Sequence, residues 1–194
     1  MSAVQYNISE IIESIKPISK SSITLIESQT RSIIHAKGTI FSAARSIDQF
    51  EYFVLDGVCR SFLLNQEGLP TTISFFMGGS IISPYVSRTE EGRSLVNLEA
   101  LTDLKLGVIK AVDFEQMMVE NLEIREFGNQ VLRNELKAKV AKEISLATRP
   151  SSERLQEMRR NFPSLENLVP HHTIATYLGI TAISLSRLRK DLMA

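Results

Sequence analysis

The sequence predicts an α+β protein: an N-terminal antiparallel β-rich half flanked by helices, a long middle helix, and an all-helical C-terminus. Three stretches carry that prediction. From about Gln29 to Ala111 short runs rich in branched and aromatic residues alternate with glycine-bearing turns. From Leu122 to Leu146 the chain runs without a proline and repeats apolar residues at helical spacing. From Val169 to Lys190 two short helical patterns flank a glycine.

Taken in order, residues 7 to 28 read as helical. Ile8, Ile11, Ile12 and Ile15 make one stripe, Pro17 interrupts it, and Ile23, Leu25 and Ile26 begin a second piece; together they should form a lid on the β-rich part. Strands are expected at 32–36, 39–41, 52–55, 58–64, 71–76 and 104–109, and residues 95–98 are strand-like as well. Lys37-Gly38, Asp56-Gly57, Asn65 to Gly68 and Gly78-Gly79 separate them. Many short strands of this kind argue for an antiparallel sandwich or barrel. Asp56-Gly57, between Phe53-Val-Leu and Val58-Cys-Arg, is the best single hairpin signal.

A short helix is expected around Asp113 to Val119, then the long one. In it Ile124, Phe127, Val131, Ala138 and Ala141 follow one seam, and Leu132, Leu136, Val140 and Ile144 another. Two stripes are more than one neighbour can bury. One should cover the barrel and the other meet a twin helix, which predicts a parallel homodimer through residues 122–146; a single helix buried in an ordinary core would show two stripes as well. Thr148-Arg-Pro150 breaks the pattern and reads as a hinge, followed by a helix from Glu153 to Asn161 capped by Ser151 or Ser152. The expected domains are therefore 1–120, the helix 121–148, and 149–194.

Composition narrows the function. With 194 residues and 43% apolar content the chain can bury a real core. No run approaches eighteen apolar residues, and the N-terminus has neither the basic nor the apolar region of a signal peptide, so no membrane association is expected and a reducing cytoplasm is the expected location. The single cysteine, Cys59, should be a half-buried strand residue; it excludes an intrachain disulfide, a cysteine-held iron–sulfur cluster and a cysteine zinc site. The net charge is zero, but residues 121–194 carry +4 and residues 1–120 carry −4. An acidic front and a basic rear suit a regulatory module joined to a nucleic-acid-binding one.

The C-terminal stretch is the most informative. Ile174, Ala175 and Leu178 make an apolar stripe, Gly179 suits a left-handed turn, and Thr181 is a fitting N-cap for the helix after it. Leu185, Leu188 and Leu192 should point inward, leaving Ala182, Ile183, Ser184, Arg187 and Lys190 outside. This is the layout of a helix-turn-helix, whose second helix enters the DNA major groove. A helical hairpin that merely packs would also need a glycine turn and a leucine seam.

The whole order, with Phe53-Val-Leu-Asp-Gly57-Val-Cys-Arg60, Asn65-Gln-Glu-Gly68, Ser74-Phe-Phe-Met-Gly-Gly79 and Ile174-Ala-Thr-Tyr-Leu-Gly179-Ile-Thr181, resembles the Crp/Fnr superfamily of bacterial transcription regulators. The last motif, with Leu185-Ser-Arg-Leu-Arg189, resembles the short members common in Bacteroidetes. The resemblance implies a jelly-roll-like, cyclic-nucleotide-binding-type β-roll, a dimerisation helix, a DNA-binding domain and, as partners, double-stranded DNA and possible contact with RNA polymerase. Cyclic-nucleotide-binding members carry a Gly-Glu pair and then an Arg-Ser or Arg-Thr pair. Arg93-Ser94 matches the second, but Ser83-Pro84 stands where the first belongs, so Ser83, Arg93 and Ser94 mark an effector pocket that should not take cyclic AMP. In the recognition helix, Ala182-Ile183 replaces an Arg-Glu pair while Ser184 and Arg187 keep the later positions. Arg187 suits a guanine, Ala182 and Ile183 suit thymine methyls, and Thr173, Thr181, Arg189 and Lys190 suit phosphates, with His171 and His172 as helpers. With Ala194 as the last residue of the sequence, a β-hairpin wing is not expected in 149–194.

Two other classes stand beside this reading. An interaction or structural protein of the same shape that has lost DNA binding would also explain Ala182 and Ile183. An enzyme is not expected, because His35 stands alone in the β-rich part, His171 and His172 point about 100° apart on a helix, and no Ser-His-Asp set or phosphate loop occurs. No metal is expected either.

Overall fold

Asn7 starts the first helix. Its Oδ1 accepts from the Glu10 N–H at 2.9 Å while the Glu10 carboxylate accepts from the Asn7 N–H at 2.8 Å, a reciprocal cap. Helix α1 (Ile8–Ile15) ends ahead of Pro17, and Ser19 caps α2 (Lys20–Ser28). In the computed structural model, which describes residues 5–83 and 91–191, these helices do form a lid: Ile11, Ile12, Ile23 and Ile26 pack with Phe53, Leu55 and Ile109. Among the described residues no helix is long and apolar enough to cross a membrane.

The strands are β1 (Arg31–His35), β2 (Ile40–Ser42), β3 (Phe50–Asp56), β4 (Val58–Leu64), β5 (Pro70–Met77), β6 (Ile81–Ile82), β7 (Asn97–Ala100) and β8 (Leu104–Lys110). They make two antiparallel four-stranded sheets, β1-β8-β3-β6 and β2-β7-β4-β5. Tyr52, Val54, Leu106 and Val108 meet Cys59, Leu98 and Ala100 between the sheets. Phe53, Leu55 and Ile109 point the other way, towards the lid, so β3 is buried on both faces. Cys59 is fully buried, not half-buried, and burial pushes its thiol far up. Strand β6 has only two residues, too few for a periodic signal, and β7 begins two residues later than the strand-like 95–98.

Asp56-Gly57 is not a hairpin. Strand β3 pairs with β6 and β8, whereas β4 pairs with β5 and β7, so the dipeptide is the corner at which the chain passes from one sheet to the other. The true hairpin joins β4 to β5 through Asn65 to Leu69. Gly57 has φ +89°, and a Cβ there would lie 2.2 Å from the Asp103 carbonyl oxygen. Gly57→Ala should therefore cost about 2–4 kcal/mol, roughly 5–15 °C in Tm. Gly38→Ala, with φ +86° but open space around it, is the control that carries the backbone cost alone. Equal losses in the two variants by thermal melting would contradict the corner's tight packing.

Helix α3 (Ala111–Glu120) leads into α4 (Leu122–Thr148), whose N-cap Asn121 accepts from Glu123 and Ile124 N–H groups at 2.9 and 3.2 Å. Glu123 accepts from Ser22 Oγ at 2.7 Å and from Ser19, which hold its carboxyl below the usual range and tie α2 to α4. Of the first expected seam only Ile124 and Phe127 are buried, with Val131 partly so; Ala138 and Ala141 are exposed because α4 runs on past the sheet that covers its first turns. Leu136 and Ile144 on the second stripe are 60% and 53% exposed.

Arg149 takes extended geometry ahead of Pro150, ending α4. Helix α5 (Ser151–Asn161) starts earlier than expected, with Pro150 at the N-cap position; Ser151 and Ser152 lie inside the first turn and neither caps it. After α6 (Leu165–Leu168) come α7 (His171–Tyr177) and α8 (Ala182–Asp191). Their core, including Leu155, Met158, Leu165, Ile174 and Leu185, is continuous with Val58 and Phe75 of the sheets and with Leu101, just after β7.

Candidate nucleic-acid interface

The turn between α7 and α8 is set by local chemistry. Gly179 sits at φ +67°, its N–H donates to the Thr176 carbonyl at 3.2 Å, and the Ile180 N–H donates to the Ala175 carbonyl at 3.0 Å. This pair of bonds is the Schellman closure, which needs the left-handed residue that Gly supplies without strain. Thr181 Oγ1 then accepts from the Ser184 N–H at 3.1 Å and starts α8. Ala175 and Leu185 are buried where the two helices meet, and Leu188 is partly buried. Leu192, the last of the expected seam, lies outside the described residues.

Helix α8 turns one face outward. Ala182, Ile183, Arg187 and Lys190 are exposed as expected, Ile183 at 68%, and Ser186, absent from the expected contact set, lies among them one turn after Ala182. Arg187 and Lys190 make no ion pair or hydrogen bond with the described residues, so their charges are available. Spacing alone could have found Ser186: positions 182, 183, 186, 187 and 190 form one helical stripe.

Three expected contact residues are otherwise engaged. Thr173 is only 1% exposed, in the α7 face that packs inward, and cannot meet a phosphate in this arrangement. Ser184 is half-buried, and its hydroxyl lies 2.9 Å from Thr181 Oγ1, inside the cap. Arg189 is a strut. Its Nη1 lies against the His171 ring, 2.9 Å from Nδ1 and 2.5 Å from Nε2, and its Nε lies 3.3 Å from Glu166 Oε1, an ion-pair contact without hydrogen-bond alignment. Glu166 is held on its other side by Arg159 at 2.6 Å. Arg189 therefore ties α8 to α6 and α7. His171 and His172 are exposed at the start of α7, the first in contact with Arg189.

The expected effector residues do not come together as one pocket among the described residues. Ser83 lines a cavity of about 490 Å³ between sheet β1-β8-β3-β6, α3 and α4, walled by Phe53, Phe114 and Met118. Arg93 and Ser94 do not line it. Ser94 is buried, with its hydroxyl donating to the Val96 carbonyl at 2.7 Å, and Arg93 donates to the Arg45 carbonyl at 2.9 Å. Both stabilise the loop in which they stand. Pro84, next to Ser83, and Glu90, close to Arg93 in the chain, lie outside the described residues. Among the described residues no group of three or more His, Cys, Asp or Glu side chains gathers as a metal site. His35 stacks on Phe41 at 5.2 Å, and burial lowers its pKa.

No protein-family model and no curated protein sequence matches the chain. Solved structures do. It is similar to FixK2 from Bradyrhizobium japonicum, with 21% identity over 84% of this chain and 84% of that one and a TM-score of 0.73. It is similar to CLP, a c-di-GMP-responsive global regulator of Xanthomonas campestris, with 14% identity over 90% and 92% and a TM-score of 0.70. A Crp/Fnr-family regulator from Eubacterium rectale gives 18% identity over 91% and 84%, and also 0.70. The chain has the Crp/Fnr fold. Within that fold the two sheets are the β-roll, α4 is the long helix after it, and α7 and α8 are the helix-turn-helix.

Proposed function

We propose that this protein is a dimeric, sequence-specific DNA-binding transcription regulator of the Crp/Fnr superfamily, acting in the cytoplasm. The observation that carries the reading is the outward face of α8, where Ala182, Ile183, Ser186, Arg187 and Lys190 stand clear of the protein on a helix held by a well-formed turn and cap. Arg187 reads a guanine edge, Ala182 and Ile183 rest on thymine methyls, and Lys190 with the Thr181 end of the helix meets the backbone. The exposed stripe Leu136, Val140 and Ile144 joins α4 to the same helix of a second copy. Two α8 helices then reach successive major grooves, about one duplex turn apart.

The β-roll senses an effector other than cyclic AMP or serves only to hold the dimer. The departure at Ser83-Pro84 and the separate engagements of Arg93 and Ser94 support that. No catalysis is proposed, in keeping with the regulators whose fold the chain shares.

Selection of bound oligonucleotides from a random pool tests the reading. An enriched inverted repeat is expected, with affinity falling as salt rises because phosphate contacts release counterions. A pool that stays random at low salt would refute it. Capture of a protein partner in place of DNA would instead favour an interaction role for Ile183.

A further inference from the structure

Strand β5 is the outer strand of its sheet, so among the described residues one side of its backbone has no strand to pair with. Its register with β4 also breaks: Ser74 faces Ser61 and Thr72 faces Phe62, leaving Ile73 as an unpaired bulge. Both loose ends are taken up by other elements. The Thr72 N–H donates to Thr176 Oγ1 of α7 at 3.2 Å, and the two threonine hydroxyls lie 3.0 Å apart, with the Thr173 carbonyl 2.9 Å from the Thr176 hydroxyl. The Ile73 carbonyl accepts from Lys142 Nζ of α4. Lys142 in turn lies 3.9 Å from the centroid of the Tyr177 ring, and Tyr177 packs on Phe75 of β5 at 5.0 Å. Behind Thr72, the buried Arg60 donates to its hydroxyl at 3.0 Å and to Glu99 of β7 at 2.7 Å. A continuous polar path therefore runs from β7, through β4 and β5, into the first helix of the helix-turn-helix.

We propose that the bulged free edge of β5 is a latch that clamps the helix-turn-helix to the β-roll through Thr176 and Lys142 and so sets the direction in which α8 is presented. The clamp itself stands independently of DNA binding; its consequence for operator affinity rests on the function proposed above. Lys142 makes the latch respond to pH. Burial pushes its pKa down to about 8, with the Lys139 charge adding to the effect. The other charged or titratable groups around it are Glu135 and Glu143 of α4, Arg154 and Glu157 of α5, and Tyr177, whose phenol burial and then Glu157 push up to about 12. Residues 70–77 of β5 bring no charge. A lysine with a depressed pKa binds fewer protons in the docked state, so docking strengthens as pH rises from about 8 towards 10.5, where a free lysine loses its proton.

Hydrogen exchange on the full-length protein tests the latch. In the wild type the Thr72 amide should be protected; Thr176→Val should speed its exchange about tenfold or more while leaving amides between the sheets unchanged, and Thr176→Ser should restore protection. After correction for intrinsic exchange, protection should increase between pH 7.5 and 9.5, and Lys142→Met should abolish that increase. A Thr72 amide that exchanges freely in the wild type, or equally in the Val and Ser variants, overturns the latch. Loss of pH dependence in neither protein or both overturns the role of Lys142. Operator affinity should fall at least fivefold in Thr176→Val and recover in Thr176→Ser; exchange that changes without affinity overturns the positioning of α8. If the wild type binds no DNA, the proposed function fails and exchange alone judges the clamp.

Discussion

Replacing Leu136 and Ile144 together by lysine should leave each protomer folded and turn a dimer into a monomer. Both side chains are more than half exposed on a single protomer, so the substitutions open no cavity and bury no charge within it. In the dimer each aliphatic side chain removed from water contributes about 1.5–3 kcal/mol. Four are lost across a two-fold interface, and four like charges are brought together in their place. The gross loss of about 6–12 kcal/mol is most or all of the roughly 8–12 kcal/mol that holds a micromolar to nanomolar association together. Sedimentation should show the wild type at twice the protomer mass of 21.8 kDa and the variant at that mass. Affinity for an inverted repeat should fall to that of a half-site, because the second helix-turn-helix no longer arrives with the first. A monomeric wild type, or a variant that still dimerises, would show that the stripe has another purpose.

The second large effect separates two arginines only two residues apart. Arg187→Ala removes an exposed, unpaired side chain, so stability should change by less than about 0.5 kcal/mol. If it reads a guanine, affinity should fall by about 1–3 kcal/mol, tenfold or more, with specificity relaxed at one base pair. Arg189→Ala removes the strut between Glu166 and His171 and leaves Glu166 paired with Arg159 alone. That variant should melt earlier by a few degrees and lose affinity evenly across sequences, since α8 is then less well held. The two variants should thus differ in kind: one alters sequence preference at constant Tm, the other lowers Tm at constant preference. Base preference unchanged in Arg187→Ala, as read by competition with single-base operator variants, would remove Arg187 from the reading face.

Features whose energetics close within a few residues were legible in the order of amino acids. The break at Pro17, the end of α4 before Pro150 and the Gly179 turn each depend on hydrogen bonds or steric limits spanning three to six positions. The outward position of Arg187 and Lys190 followed from helical spacing, and the same rule applied further would have found Ser186. Tertiary structure decided the rest. Asp56-Gly57 has the residues of a hairpin turn, yet β3 and β4 part because β3 finds its partners in β6 and β8 while β4 finds its own in β5 and β7, and turn chemistry cannot distinguish a reversal from a corner between sheets. Thr173 and Arg189 look like phosphate ligands in the sequence, but burial of the first and the Glu166–His171 clasp of the second arise from elements packed around them. Side-chain type declares what a residue is able to bind; only the surrounding fold determines whether that capacity is left facing solvent or already satisfied within.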